Sequence, residues 1–557
     1  MIIGLDVGGT HADIVLIGKT GVIRSAKVPT RVDDLFQTVL TGFEKATEGI
    51  APGEITRIVL STTLATNAIV QDKIPPVGMI VSAGPGIDPE FFRTHRHYHS
   101  VSGAVDHRGR ELQPIDPDEI HRVAASFVDA GIRHVGVVGK FSVRNPVHEL
   151  ETAVLLKDRF EKVFLGHRLS GSLNFPRRIG TTYLNAAVYP IHREFFLAVE
   201  KSLMEKGFAA PIRILKADGG NMNFRASLAC PAQTILSGPA ASVIGTLACA
   251  PETEEILALD IGGTTTDMAI LINRAPLMDP LGVDLGGFKT LIRSLETRSV
   301  GIGGDSRVRV GNGAILIGPE RTGPAMAFGG TDPTPTDALI VLDKMREGDR
   351  HLAEKGIETV ARQMDMSIVA TAQEIFLQAC RRILVEVREL IDQVNSQPVY
   401  TLHEMLEGFT VNPTRIFISG GPAPHIAKGL ENEGDFELMV VPRWSVANAI
   451  GAALARTTSE VALFADTQQG IATAPEENFS RQVSASYSQT DAEETAYTIL
   501  REKAVARGAH PDHLQMETTE AMTFNMIRGF NTVGRNIRVK VQIKPGLIRG
   551  YESVIGL

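Results

Sequence analysis

DVGGTHADIVLI at residues 6–17 and DIGGTTTDMAIL at residues 260–271 are one motif written twice. Both read D-[IV]-G-G-T-x-x-D followed by apolar residues, and each is preceded by a short apolar run, residues 2–5 and 256–259. An apolar run, a glycine pair and a second apolar run spell strand, turn, strand, so each copy predicts a β-hairpin opening one of two related halves. Paired glycines let backbone N–H groups close around a phosphate that side chains would obstruct. Asp6 and Asp260 fall where a strand ends, placed to hold a hydrated Mg²⁺ ion or to orient an attacking group. A single glycine pair after a strand is an ordinary tight turn. Two copies with matching Asp, Thr and second Asp favour a clamp that holds a nucleotide's phosphates from both sides.

Outward from the first hairpin, helical patterns at 33–47 and 116–131 alternate with apolar strand runs at 57–61, 77–81 and 134–139, which predicts an α/β class. A long helical pattern at 180–206 ends at Gly207, and 212–216 restarts a strand. After the second hairpin come a Gly- and Pro-rich stretch at 301–336, a long helical region from 337 to about 394, and a strand at 415–419. The strand leads into a third glycine cluster, ISGGPAPH at 418–425, which places Gly420 and Gly421 at a strand-to-helix turn suited to packing bare backbone against a ring or phosphate. Beyond 456 the pattern weakens and ends in RVKVQIK at 538–544, one half-exposed strand.

Composition narrows the class. With 43% hydrophobic and 22% charged residues the 557-residue chain can build real cores, and its net charge of −8 gives no field for nucleic acid or an anionic membrane. The three cysteines, Cys230, Cys249 and Cys380, lack C-x-x-C spacing and suit a reducing, cytoplasmic setting, with Cys230 and Cys380 expected as core thiols. The sequence carries no apolar run long enough to span a bilayer and no signal-peptide core, so the expectation is a protein without membrane contact. Gly18-Lys19-Thr20 resembles the end of a Walker A loop, but Asp13 stands where its first glycine belongs, so it predicts a turn. The HRHYH run at 95–99 could set three imidazoles on one strand face as a zinc-like site, or leave them as solvated loop residues. A G-x-S-x-G elbow is missing, which removes serine-hydrolase chemistry.

Two D-[IV]-G-G-T hairpins followed by a strand-GGP-helix turn resemble the actin-like ATPase superfamily. Four further segments narrow it: STTLATNAI at 61–69, FSVRNPVHE at 141–149, TILSGPAASVIG at 234–245 and GGTDPTPTDA at 329–338. Together they resemble the hydantoinase/oxoprolinase A-type family over residues 1 to about 456. The resemblance implies two actin-like (ribonuclease H-like) halves with a nucleotide cleft between them, followed by a small C-terminal α+β segment. The expected domains are 1–190, 191–456 and 457–557. It also implies that ATP and Mg²⁺ open a cyclic amide such as a hydantoin, 5-oxoproline or a related lactam, or activate a ketone for carboxylation. Alternatives are an ATP-driven conformational switch, such as a reactivating chaperone, and a small-molecule kinase. Carried onto matching positions, Asp6 and Asp260 would be catalytic and hold the metal. Gly8, Gly9, Thr10, His11, Asp13, Gly262, Gly263, Thr264, Thr265 and Asp267 would line the phosphates, with Gly420 and Gly421 near the adenosine. Thr66 and Asn67 would face substrate, or cap a helix start. The family's first hairpin commonly continues Phe-Thr where this chain has His11-Ala12, which exchanges a hydroxyl for a titratable ring. A-type chains work with a separate B-type subunit, the partner expected here, and self-association would be compatible with the sequence.

Overall fold

The structure, a computed structural model, describes residues 1–31, 33–251, 254–396 and 410–551; residues 552–557 of the expected C-terminal segment lie outside them. Both predicted hairpins form. In the first, Ile2–Val7 pairs antiparallel with His11–Gly18; in the second, Glu255–Ile261 pairs with Thr266–Ile272. The first strand of each is buried on both faces, as its unbroken apolar run requires.

Around the hairpins the two sheets repeat one plan. In the first, Ile2–Val7 is flanked by the parallel strand Arg57–Thr62 and then Ile212–Leu215, with Gly21–Pro29 extending the hairpin side and Asn221–Asn223 closing the other edge. In the second, Glu255–Ile261 is flanked by parallel Arg415–Ser419 and then Glu437–Val440. Residues 64–205 are inserted between two strands of the first sheet and carry a separate four-stranded parallel sheet, Lys162–Leu165, His134–Gly139, Gly78–Ser82 and Tyr98–Val101. The helix Phe175–Glu205 leads back from it.

Two short helices join the halves, and each packs on the sheet of the other half. Ser237–Leu247 follows the first sheet in the chain but lies on the second, where Val243 and Ile244 meet Ile256, Ala258 and Phe417. Ala447–Leu454 follows the second but lies on the first, where Ala449 and Ala453 meet Ile2, Val15 and Ile17. The helices cross at glycines. A Cβ on Gly451 would stand 2.0 Å from the Ala241 carbonyl oxygen, one on Gly245 2.3 Å from that of Ala447, and one on Gly4 2.1 Å from that of Ala449. Outer layers complete both halves, with Leu35–Thr47 and Phe175–Glu205 on the first sheet and helices from the 335–396 region and Ala423–Glu433 on the second.

The sequence expectations change in three places. The helical region from 337 to 394 is three helices, Pro335–Val341, Arg350–Met364 and Ile368–Ser396, because Asp343, Gly348 and Asp365 adopt positive φ and break it. The loop-rich stretch contains a hairpin, Val308–Gly311 with Ala314–Ile317. The single C-terminal strand is one arm of a long hairpin, Met516–Arg528 with Asn531–Ile543, in a five-stranded antiparallel sheet packed on Gln489–Ala506. That is the small α+β unit expected at this end. Ile212–Leu215 and Asn221–Asn223 lie beyond residue 190 yet belong to the first sheet. On sheet membership we propose that the first lobe extends to Asn223.

The helix crossing should be the point least tolerant of added volume. Gly451→Val is expected to cost upward of about 3 kcal/mol in urea unfolding. Gly53→Ala, where the added Cβ meets nothing within 4 Å, should stay within about 0.5 kcal/mol of the parent.

Candidate functional site

The two hairpins are equivalent residue by residue. Asp6 lies opposite Asp13 across the first and Asp260 opposite Asp267 across the second. On the other side, Asp6 is in register with Ser61 and Asp260 with Ser419. In each turn the first glycine's amide closes the hairpin, Gly8 N donating to His11 O (3.0 Å) and Gly262 N to Thr265 O (2.9 Å). The next two amides, of Gly9 and Thr10 and of Gly263 and Thr264, donate to nothing among the described residues. They are four N–H groups available to an anion. The tips approach each other, since a Cβ on Gly263 would lie 3.3 Å from the Thr10 methyl carbon.

The two crossing helices bring the aspartates together. Asn448, on Ala447–Leu454, donates through Nδ2 to Asp6 Oδ2 (3.3 Å) and to Asp260 Oδ2 (3.0 Å). Ser242, on Ser237–Leu247, donates to Asp260 Oδ2 at 2.6 Å. Asp6 is 5% exposed and Asp260 8%, and Asp6 Oδ1 is buried with no hydrogen-bond partner among the described residues. Burial pushes the Asp6 carboxyl up to about 7, and the nearby Asp13 and Asp260 carboxylates add to this against hydrogen bonds from Ser61 and Asn448. Burial likewise raises Asp267 to about 7 and Asp13 to about 6, the latter opposed by Lys27, whose Nζ lies 3.1 Å from Asp13. Carboxylates crowded in a dry site, one with an orphaned oxygen, are a hard-oxygen donor set that fits a hydrated divalent cation.

The third glycine cluster joins the second hairpin. Gly420 adopts φ +94°, and a Cβ there would stand 2.1 Å from Ile261 O and 2.7 Å from Asp260 Oδ1, so bare backbone passes directly beside the carboxylate. Gly304 N donates to Gly262 O (2.9 Å) and Asp305 N to Gly263 O (2.7 Å), which lays a further glycine loop over the same turn. Thr336 fixes that loop by bonding Gly304 O, and Asp337 caps the Pro335–Val341 helix, so the GGTDPTPTDA segment acts as a brace. Asp305 pairs with Arg321 (3.2 Å) and faces the first half, where its charge reaches His11. His11 is an exposed residue whose pKa is lowered by partial burial of its ring and by Lys27 and Arg321, against the pull of Asp305.

Thr66 and Asn67 lie in the helix Leu64–Val70, which starts two residues after Arg57–Thr62. Thr66 Oγ1 accepts from Leu236 N (3.0 Å) and Asn67 Nδ2 donates to Thr63 Oγ1 (3.1 Å). Thr66 therefore ties this helix to the start of the crossing helix, while Asn67 bonds the residue that begins its own helix. The histidines at 95–99 are each engaged elsewhere: His95 bonds Val77 O and stacks on Tyr183 with its ring 6.0 Å from that of His97, His97 accepts from Arg96, and His99 packs on Phe127. Among the described residues no group of three or more His, Cys, Asp or Glu side chains is arranged to hold a metal ion. Burial pushes the Cys249 and Cys380 thiols up, to about 11 and about 12, away from nucleophilic use. Gly18-Lys19-Thr20 is the turn between His11–Gly18 and Gly21–Pro29. The described helices include none long and apolar enough to cross a membrane.

Sequence reasoning missed Asn448, Ser242 and Asp305. Ser242 sits inside a quoted segment, and Asp305 follows a glycine pair. Asn448 lies in an alanine-rich helix without any motif to mark it.

A family model described as Hydantoinase/oxoprolinase matches residues 178–461, and one for the Hydantoinase/oxoprolinase N-terminal region matches 2–160. Caprolactamase subunit alpha of Pseudomonas jessenii is 24% identical over 386 residues, 62% of this chain and 55% of the relative. The acetophenone carboxylase gamma subunit of Aromatoleum aromaticum is 24% identical over 512 residues, 81% of this chain and 67% of the relative. The chain thus spans about half to two thirds of the length of these curated relatives. The crystal structure of the ATP-dependent caprolactamase from Pseudomonas jessenii superposes with a TM-score of 0.73 at 18% identity, covering 98% of this chain and 88% of that one, which establishes the two-lobed ATPase fold.

The raised carboxyls give a pH dependence of definite sign. Folding lifts these groups above their unfolded value of about 3.9, so the native state binds more protons between that value and about 7, and its stability falls as pH rises through this window. The melting temperature without divalent cation should therefore drop from pH 5 to pH 8. Asp6→Asn should flatten the profile, and MgCl₂ at pH 8 should restore stability to the parent more than to the variant.

Proposed function

The chain belongs to the hydantoinase/oxoprolinase family, and from that premise we propose that it uses ATP to phosphorylate the carbonyl oxygen of a cyclic amide and so drive ring opening. The observation that carries this reading is the pair of register-matched hairpins, whose Asp6 and Asp260 share the Asn448 amide while the turns that follow them hold four N–H groups unpaired among the described residues. An amide carbonyl is a poor electrophile. Transfer of the terminal phosphoryl group forms an O–P bond at the carbonyl oxygen and breaks the bond to the departing ADP. Water then adds at the activated carbon, the ring C–N bond breaks to leave a free amine and an acyl phosphate, and a second water hydrolyses the acyl phosphate to release phosphate. One lactam, one ATP and two waters give the ring-opened amino acid, ADP and phosphate.

Asp6 and Asp260 would hold Mg²⁺, which supplies charge neutralisation between the phosphates. The amides of Gly9, Thr10, Gly263 and Thr264 bind phosphate oxygens, and Gly8, Gly262 and Thr265 keep the turns in shape for them. Asp13 and Asp267 stand behind the metal-binding pair, His11 lies at the rim of the first turn, and Gly420 and Gly421 leave room for the nucleoside. Asn448 and Ser242 are positioning residues that orient the two carboxylates. Thr66 and Asn67 are assigned to the substrate side, where Asn67 keeps its carbonyl oxygen free for a ring N–H. The supporting relatives are the caprolactamase subunit and, for the closely allied activation of a ketone, the acetophenone carboxylase subunit. Both relatives are named as subunits, so a partner chain of the B type is part of the proposal. A cytoplasmic location belongs to it as well.

Steady-state ATP hydrolysis with Mg²⁺ tests the reading against 5-oxoproline, hydantoins, caprolactam and simple ketones, with and without a B-type subunit. One cyclic amide should raise turnover and appear as ring-opened product. Asp260→Ala should lower kcat by about 100-fold or more. Undiminished turnover in that variant would remove Asp260 from the mechanism.

A further inference from the structure

At the end of the first sheet away from the hairpin tips lies a cavity of about 380 Å³. It is bounded by the starts of Arg57–Thr62 and Ile212–Leu215, by the residues that follow the crossing helix Ala447–Leu454, and by the C-terminal unit. Its charged and titratable lining is Arg57, Arg213, Arg456, Arg549, His510 and His513, and no Asp or Glu is among the described residues that line it. His510 lies 3.8 Å from Asp512, and the four arginines are the lining's formal charges, an unexpected cluster in a chain of net charge −8.

Among the described residues the two inner guanidiniums meet only neutral acceptors. Arg57 donates to Ala455 O, and Arg213 to Thr457 Oγ1 (2.7 Å), Asn221 Oδ1 (3.4 Å) and Gly508 O. Their Nε–H groups are buried with no acceptor. Burial and the neighbouring Arg213 pull Arg57 down to about 9, and the Tyr551 phenol is the one group that favours its charge. Burial alone lowers Arg213. Two other buried cations at the junction with the C-terminal unit are paired within the chain, Lys216 with Asp218 at 2.9 Å and Lys503 with Glu476 at 3.5 Å. Two neighbouring cations withdrawn from water without a counter-charge are costly. A bound anion removes that cost, and guanidinium forks suit phosphate oxygens in particular.

We propose that this cavity is a second anion site, built to bind a small phosphate-bearing molecule and distinct from the hairpin cleft. The volume lies in the range of small-molecule sites. Arg57 is four residues before Ser61, the register partner of the strand carrying Asp6, so the two sites are about 13 Å apart along one strand. Because Arg213 also binds Gly508 O, an anion held here fastens the C-terminal unit to the ATPase sheet.

Calorimetric titration of the full-length chain with inorganic pyrophosphate, at constant ionic strength and without divalent cation, tests the site. Saturable binding is expected, weakened about tenfold or more by Arg213→Gln and by Arg549→Gln, the second an exposed rim residue whose replacement leaves the fold intact. Asp260→Asn should bind pyrophosphate as the parent does. Absence of saturable binding, or an affinity that both arginine variants leave unchanged, would overturn the proposal. Tighter binding in Asp260→Asn, which removes a carboxylate that repels a polyanion when no cation is present, would place the anion in the hairpin cleft and overturn it too. Equal affinity for citrate would overturn the phosphate assignment.

Discussion

Everything at the site depends on two short helices crossing without side chains between them. Gly245 and Gly451 allow the backbones of Ser237–Leu247 and Ala447–Leu454 to touch, and Gly4 lets the second helix settle directly on the first central strand. Each helix is anchored to the sheet of the opposite half by a small-residue face of alanine, valine and isoleucine. The close crossing sets the separation of the two sheets. It thereby brings the ends of two strands that are 254 positions apart in the sequence, Asp6 and Asp260, within reach of one asparagine. A helix pair spaced by ordinary side chains would stand roughly 8–10 Å apart and lose that bridge.

The halves share a plan but differ in chemistry. Asp13 has Lys27 beside it, whereas its counterpart Asp267 has the Ser299 hydroxyl, and both carboxyls are raised by burial. The second turn is covered by the Gly303–Gly304 loop and flanked by Gly420, while the first is flanked by exposed His11. The second half therefore offers more bare backbone and the first more side-chain charge. Several carboxyls crowded where little water reaches disfavour their own ionisation, which a divalent cation would reverse.

The quoted motifs divide by what they do. FSVRNPVHE carries Glu149, which accepts from Gly139 N and His167, and Arg144, whose guanidinium lies 3.3 Å from the centre of the Phe464 ring in the C-terminal unit. GGTDPTPTDA braces the loop over the second turn. STTLATNAI and SGPAAS meet through Thr66 and Leu236, and through Ser61 and Ser237. Most of this motif content therefore positions the turns from behind, which is why only the hairpins announce their chemistry directly.

The hairpins, their glycine turns, the strand at Arg415–Ser419 and the two-lobed α/β class were legible because each rests on local rules: period-two burial, glycine at a turn, an apolar run for a doubly buried strand. The strand at His134–Gly139 matched for the same reason. Local pattern did not reveal that Ile212–Leu215 returns to the first sheet, that the 337–394 region breaks where Asp343 and Asp365 turn left-handed, or that one C-terminal strand belongs to a long hairpin. Nor could it find Asn448, whose role exists only because a helix from one end of the chain lies across a strand from the other. The sequence by itself determined which residues are candidates for phosphate and metal, since candidacy follows from residue type and turn pattern. Tertiary structure alone decided which of them share a site and that Arg57 and Arg213 meet only neutral acceptors among the described residues, because both depend on distances set by packing between segments hundreds of residues apart.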